Sequence, residues 1–325
     1  MHNVKRFSAA KRAEMRQENE ERAAQYRALS KAAFERRTAK LHDQETLQAI
    51  TKVVTENTDF ATMWNFRREV LQTLYPAVDD QRKAACVAEF ELTQLCLGRN
   101  PKSYPVWYHR QWVLEWGECS WQWPVELKLT AKFLALDDRN FHCWTYRRFV
   151  VAAAGVSAES ELAFSTGKIE ANFSNYSAWH YRSKLLPAIH GACPPGANQV
   201  AWLRDELQLV RNAFFTEPND SSAWFYHRWL LAQLKPDGAA PAPQAEYEAT
   251  LREELSMCDE LIELEGECKW VLAASAYIAR ELGEAGTTGV KCMETLRRID
   301  PVRKRYYEDV SSGAKAETGA AVEAS

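Results

Sequence analysis

The chain has 325 residues and a net charge of −3 at pH 7, with 44 acidic against 41 basic side chains, so it offers no overall basic footprint for nucleic acid. Its eight cysteines, Cys86, Cys96, Cys119, Cys143, Cys193, Cys258, Cys268 and Cys292, are scattered without paired C-x-x-C spacing, which points away from a disulfide framework or a zinc site and toward a reduced, cytoplasmic setting. Residues 1–10 lack the apolar stretch of a secretory signal and no run of about 18 apolar residues occurs, so neither secretion nor membrane spanning is expected.

Residues 9–40 are rich in Ala, Lys, Arg and Glu, with Tyr26, Leu29, Ala33 and Phe34 on a sparse apolar stripe; this predicts an exposed helix packing by one edge. From Trp64 onward one signature recurs: Trp64-Asn65-Phe66-Arg67-Arg68, Trp107-Tyr108-His109-Arg110, Trp144-Thr145-Tyr146-Arg147, Trp179-His180-Tyr181-Arg182 and Trp224-Phe225-Tyr226-His227-Arg228, with a degenerate copy at Lys269-Trp270. The six tryptophans are 43, 37, 35, 45 and 46 residues apart, the period of a helical-hairpin array.

Residues 125–151 show the logic of one copy. Val125, Leu129, Phe133 and Leu136 recur at spacings of three and four and predict an amphipathic helix; Asp137-Asp138-Arg139-Asn140 supplies cap and turn; Phe141, Trp144, Phe149 and Val150 belong to a second helix. Neither helix can bury its apolar face alone, so hairpins must stack. The predicted fold is all-α, an alpha-alpha superhelix forming a crescent solenoid whose concave side is free to hold a partner. A solenoid core grows along one dimension, which accommodates this length without a second fold.

Pro194-Pro195-Gly196 marks a loop within 190–200, residues 235–243 read as a linker, and helices resume from Tyr247 to Leu264. The expected organisation is a charged N-terminal segment over 1–40, the solenoid over 41–310 and a disordered tail over 311–325. Trp and Arg three residues apart share a helix face, so ring and guanidinium can touch, or bind the preceding hairpin together. The repeated Trp is then a wedge between hairpins and the repeated Arg a strut. A feature present in every copy serves the scaffold, and one present in a single copy is where function is sought.

The segments 140–150, 172–183 and 218–231, with Asp59-Phe60-Ala61-Thr62-Met63-Trp64, Glu263-Leu264-Glu265 and Ile299-Asp300-Pro301-Val302-Arg303, resemble the repeats of protein prenyltransferase alpha subunits, those of the Rab geranylgeranyltransferase type above all. The resemblance covers nearly the whole chain. It implies a heterodimer in which this chain wraps a beta subunit that holds the catalytic Zn2+ and most of the lipid pocket. It implies transfer of geranylgeranyl from geranylgeranyl diphosphate to C-terminal cysteines of Rab GTPases presented by a Rab escort protein, with no activity from this chain alone.

By the same resemblance, Lys102 matches the family lysine that reaches toward the diphosphate, and only this copy carries Lys there. A lysine in the first turn of a helix opposes the macrodipole unless an anion is bound beside it. Tyr104 matches a family tyrosine at the same site, able to bond the diphosphate, orient Lys102, or simply cap the hairpin interface. Asn140 and His142 match positions on the same edge of the cleft, where a neutral His142 can position Lys102 or be a satisfied interfacial side chain.

Where CaaX-type alpha subunits place a Gln that binds a peptide carboxylate, this chain has Pro105, which has no side-chain donor. That favours the Rab-type reading over the shared alpha subunit of farnesyltransferase and geranylgeranyltransferase I. The immunoglobulin-like and leucine-rich-repeat modules of animal Rab-type subunits have no counterpart, as in a minimal form. A non-catalytic scaffold of the tetratricopeptide kind is disfavoured by its period of about 34 residues. His2 is a speculative zinc ligand in the heterodimer, against the alternative of a disordered terminus.

Overall fold

The computed structural model describes residues 8–191, 198–236 and 243–311, and every regular element among them is helical. The anticipated loop at Pro194-Pro195-Gly196, most of the 235–243 linker, His2 and all of the tail but Ser311 lie outside the described residues. The chain divides into two compact units, Met1–Val156 and Ser157–Ser325. The first contains α1 (Ala9–Thr38), α2 (Gln44–Glu56), α3 (Ala61–Leu74), α4 (Asp80–Arg99), α5 (Tyr104–Trp116), α6 (Trp123–Leu136) and α7 (Phe141–Ala154). The second contains α8 (Ala158–Ala171), α9 (Tyr176–His190), α10 (Asn198–Thr216), α11 (Ser221–Leu234), α12 (Gln244–Glu265), α13 (Lys269–Glu281), α14 (Val290–Ile299) and α15 (Lys304–Ser311).

In the first unit α2 pairs with α3, α4 with α5 and α6 with α7, and successive hairpins touch through α2–α4, α3–α5 and α5–α7. In the second, α8–α9, α10–α11 and α12–α13 are hairpins, joined through α9–α11 and α11–α13. Local chemistry sets the boundaries. The side chains of Asp43, Asp79, Asn140, Ser157, Asn175 and Asp220 accept backbone N–H groups at the starts of α2, α4, α7, α8, α9 and α11. Gly155, at φ 64°, closes α7 while the Val156 N–H reaches back to the Val151 carbonyl.

The recurrent tryptophans are wedges with a fixed hydrogen bond. Each is at most 5% exposed, and its indole N–H donates to the carbonyl six residues earlier: Trp64 to Thr58, Trp107 to Pro101, Trp144 to Asp138, Trp179 to Phe173 and Trp224 to Pro218, at 2.8–2.9 Å. Removing about 200 Å² of ring from water is worth on the order of 5 kcal/mol before ordering entropy is subtracted. The indole bond also fastens the turn in front of the helix to the helix itself.

The recurrent arginine is a strut, but its partner is a carboxylate rather than the neighbouring indole. Arg67 Nε and Nη2 clasp Glu89 of the next hairpin at 2.7 and 2.6 Å, while Nη1 binds the Leu47 carbonyl and the Thr51 hydroxyl of its own hairpin. Arg110 does the same with Glu126, Phe90 and Thr93, and Arg182 with Glu206, Leu162 and Thr166. Each of these carboxylates also takes a donor from the second helix of its own hairpin: His109 to Glu89, Tyr146 to Glu126 and Tyr226 to Glu206. Tyr181 reaches Glu161 in the same manner. In the last full copy His227 stands in place of the arginine and meets Glu254 of the following hairpin at 2.9 Å.

This changes the reading of the first helices. In α6, Val125 is 48% and Leu136 77% exposed, so two positions of the anticipated apolar stripe face outward. The face that is buried carries Glu126, Leu129, Thr130 and Leu134. Half of it is polar because the guanidinium network needs a carboxylate and a hydroxyl there, which a pattern built on apolar residues alone misplaces.

Removing one partner of a buried ion pair strands the other charge. Glu126→Ala leaves the fully buried Arg110 unpaired and is expected to cost about 3–5 kcal/mol, read by chemical denaturation, against little change for the exposed Glu91→Ala. Gly117→Ala places a Cβ 2.3 Å from Cys86 Sγ and 2.7 Å from Cys119 Sγ; about 1–3 kcal/mol of destabilisation is expected in the same measurement.

Candidate functional site

The candidate residues lie on the turns that join the two helices of a hairpin, and these turns share one construction. Asn57, Asn100 and Asp137 end α2, α4 and α6 in extended backbone, and the side-chain oxygen of each accepts the N–H two residues on, from Asp59, Lys102 and Arg139 at 3.1–3.2 Å. Asn172 and Ser174 repeat the arrangement in the second unit at 3.0 Å. This turn chemistry sets the residue five before each tryptophan on the rim: Asp59, Lys102, Arg139.

Lys102 precedes Ser103, the residue at the N-cap of α5, so it stands just outside the helix rather than in its first turn as the sequence suggested. Ser103 makes no capping bond; its buried hydroxyl donates to the Thr58 carbonyl at 3.0 Å. The first amides of α5 are left without a side-chain acceptor, and Pro105 in the first turn has no N–H to satisfy. The Lys102 side chain is 65% exposed, and its ammonium is 3.1 Å from Asp137 Oδ2.

Asn140 is buried and serves the scaffold twice. Its oxygen caps α7 by accepting the Cys143 N–H, and its Nδ2 donates to the Pro101 carbonyl at 2.9 Å. That carbonyl also receives Trp107, so the residue preceding Lys102 is held by two donors. Tyr104 is 66% exposed, with its ring 6.4 Å from Tyr108 and 6.2 Å from His142. His142 lies against Phe141, ring centroids 3.9 Å apart. The structure thus brings Lys102, Tyr104, Asn140 and His142 to one place at the adjoining α4–α5 and α6–α7 turns.

Two acidic residues of this neighbourhood were not singled out from sequence. Asp59 accepts from Asn100 Nδ2 at 3.1 Å and Asp137 pairs with Lys102. Their signal is positional, since each occupies a fixed offset from a repeat tryptophan. The buried glutamates were also missed, although Glu89, Glu126, Glu161 and Glu206 each lie 18 residues before the next Trp. Among the described residues there is no group of three or more His, Cys, Asp or Glu that could hold a metal ion.

Burial lowers the His142 pKa below the ordinary histidine value, Asp59 raises it and Lys102 lowers it further, the net direction being down. The imidazole is therefore neutral at pH 7, with one nitrogen donating and the other accepting. Removing the nearby cation favours the charged ring and removing the anion disfavours it. Lys102→Ala is expected to raise the His142 pKa and Asp59→Asn to lower it further, measured by NMR titration of the ring; shifts in the opposite directions would refute this arrangement of charge.

Comparison with known proteins bears on the same turns. The pattern described as "Protein prenyltransferase alpha subunit repeat" matches residues 86–117, 123–154, 158–189 and 203–234, each a helical hairpin of this chain. The chain is 48% identical over 229 residues to the geranylgeranyl transferase type-2 subunit alpha of Homo sapiens, covering 69% of this chain but 40% of that one, so it spans less than half the length of the mammalian relatives it matches. Against proteins of the same name it is 36% identical in Dictyostelium discoideum, over 83% of this chain and 85% of that one, and 31% identical in Candida albicans, over 89% and 91%. A solved structure titled Candida albicans protein geranylgeranyltransferase-I complexed with GGPP shares the fold at a TM-score of 0.71 and 18% identity, over 90% of this chain and 91% of that chain. On the repeat match and relatives aligned nearly end to end, the chain belongs to the protein prenyltransferase alpha subunit family, grouping with the geranylgeranyl transferase type-2 subunits alpha.

Proposed function

We propose that this chain is the alpha subunit of a heterodimeric protein geranylgeranyltransferase of type 2, acting on C-terminal cysteines of Rab GTPases presented by a Rab escort protein. The observation that carries the reading is Lys102: an exposed ammonium on a rim turn, beside the uncapped start of α5 and next to Tyr104 and His142. An ammonium beside a helix start that has no side-chain cap suits an anion such as the diphosphate of the geranylgeranyl donor. Stabilising the departing diphosphate lowers the barrier to transfer when the donor groups are already in place.

The aromatic side chains on the same side, Tyr104, Tyr108 and Phe141, are 66, 48 and 64% exposed, a surface suited to cover by a beta subunit. Zn2+ belongs in this reading to that beta subunit, where it would lower the pKa of the acceptor thiol. Pro105 favours substrate choice through the escort protein over recognition of a peptide carboxylate. No described helix is long and apolar enough to cross a membrane, and a cytoplasmic location goes with the proposal.

The test is co-expression with candidate beta subunits, followed by geranylgeranyl transfer to a Rab protein with and without escort protein. Escort-dependent transfer that falls at least tenfold in Lys102→Ala, with heterodimer and Rab binding intact, is expected. Prenylation of a free CaaX peptide without escort would transfer the assignment to the CaaX-type enzymes, and failure to bind any beta subunit would leave a scaffold.

A further inference from the structure

The rim turns are joined to one another by a ladder of side-chain contacts. The residue five before one tryptophan bonds the residue seven before the next: Asp59 to Asn100 at 3.1 Å, Lys102 to Asp137 at 3.1 Å, and, in the second unit, Ser174 to Glu217 at 2.6 Å. At Asn100 and Asp137 the position seven before Trp does two jobs. One oxygen closes its own turn, and the remaining atom holds the rim residue of the preceding hairpin.

The first job asks only for an Asx oxygen, and Asn57, Asn100 and Asn172 fill it with a neutral amide. Asp137 fills it with a charge, in the one hairpin that follows Lys102. An amide at that place would offer Lys102 a weaker, uncharged acceptor. The carboxylate draws the ammonium along the rim toward the turn that leads into α7, where His142 stands, and away from free solution. Both partners are partly exposed, at 65 and 35%, so the pair orients the lysine without locking it. An incoming anion can take over the ammonium from that starting position.

We propose that Asp137 is a positioning residue for Lys102, aiming its ammonium at the diphosphate site before the donor arrives. This rests on Lys102 serving the diphosphate, as proposed above. It predicts a loss in the rate of transfer rather than in affinity, because removing a carboxylate beside an anion site cannot by itself weaken anion binding, whereas a misdirected catalytic charge slows the chemical step.

The experiment uses the alpha–beta heterodimer with Asp137→Asn, which keeps the turn-closing oxygen that Asn100 provides in its own turn. Single-turnover geranylgeranyl transfer is expected to fall about three- to tenfold, with the dissociation constant for geranylgeranyl diphosphate unchanged or tighter and heterodimer melting unaltered. In a Lys102→Ala background the same substitution should have no further effect. An unchanged rate, tighter binding without a slower rate, or an equal loss in both backgrounds would each overturn the inference. If Lys102→Ala itself leaves transfer intact, the diphosphate role of Lys102 fails and the positioning role of Asp137 with it. A Lys102→Ala defect beside an inert Asp137→Asn would sink the positioning role alone.

Discussion

A buried carboxylate shared by two hairpins is the constraint on which the structure depends. Glu126 is fully buried, accepts Arg110 from the preceding hairpin at 2.7 and 2.6 Å, and accepts Tyr146 from its own at 2.7 Å. Taking both charges out of water is costly, and the mutual attraction offsets that cost only when geometry and hydrogen bonding are complete. Here four guanidinium N–H groups are placed, because Nε and Nη2 meet Glu126 while both Nη1 N–H groups end on the Phe90 carbonyl and the Thr93 hydroxyl. Apolar side chains could slide past one another by a turn at small cost. A bidentate guanidinium cannot, so the pairs set how each hairpin sits on the last.

The charge network also explains buried groups that have no part in chemistry. Glu89 is held down to about 2: burial pushes its pKa up, but the Arg67 charge and the His109 and Arg67 hydrogen bonds outweigh it. Tyr146 is pushed well above its ordinary value by burial and by Glu126, and so remains a donor. These perturbed residues are scaffold. The groups at the rim, Lys102, Tyr104 and His142, are more exposed, and their order comes from backbone fixed beneath them. The Pro101 carbonyl, gripped by Trp107 and Asn140, ties wedge and cap to the residue that precedes the candidate cation.

Much of this was legible in the sequence. The tryptophan period led to helical hairpins and the polar break at 137–140 to the α6–α7 turn, whereas Lys102 was singled out by resemblance and expected in a helical first turn that begins two residues after it. The hidden parts were polar. Val125 and Leu136 fit an apolar stripe that α6 does not bury, because Glu126 and Thr130 hold the inward positions. Trp and Arg, which the sequence left free to touch or to bind the preceding hairpin together, take separate partners: the indole bonds a backbone carbonyl and the guanidinium a carboxylate from the next hairpin. A partner supplied by another repeat leaves no mark on the local pattern and appears only when copies are aligned on their tryptophans. The contacts of Asp59 with Asn100 and of Asp137 with Lys102, each across two hairpins, escaped notice for the same reason.

The glutamate-to-tryptophan interval is constant at 18 residues in the four hairpins of Trp107, Trp144, Trp179 and Trp224, while the interval reaching each of these from the repeat tryptophan before it ranges from 35 to 45. All of that drift falls between a tryptophan and the next buried glutamate, in the connection after the second helix and the opening turns of the next first helix, away from the rim turn. A residue added between a buried glutamate and its tryptophan would rotate the tyrosine or histidine donor off its acceptor and dislodge the turn. The two edges of each hairpin therefore age differently: one keeps its length to the residue, and the other is where loops can grow, tags can be spliced and whole modules can be acquired without disturbing the cation-bearing side.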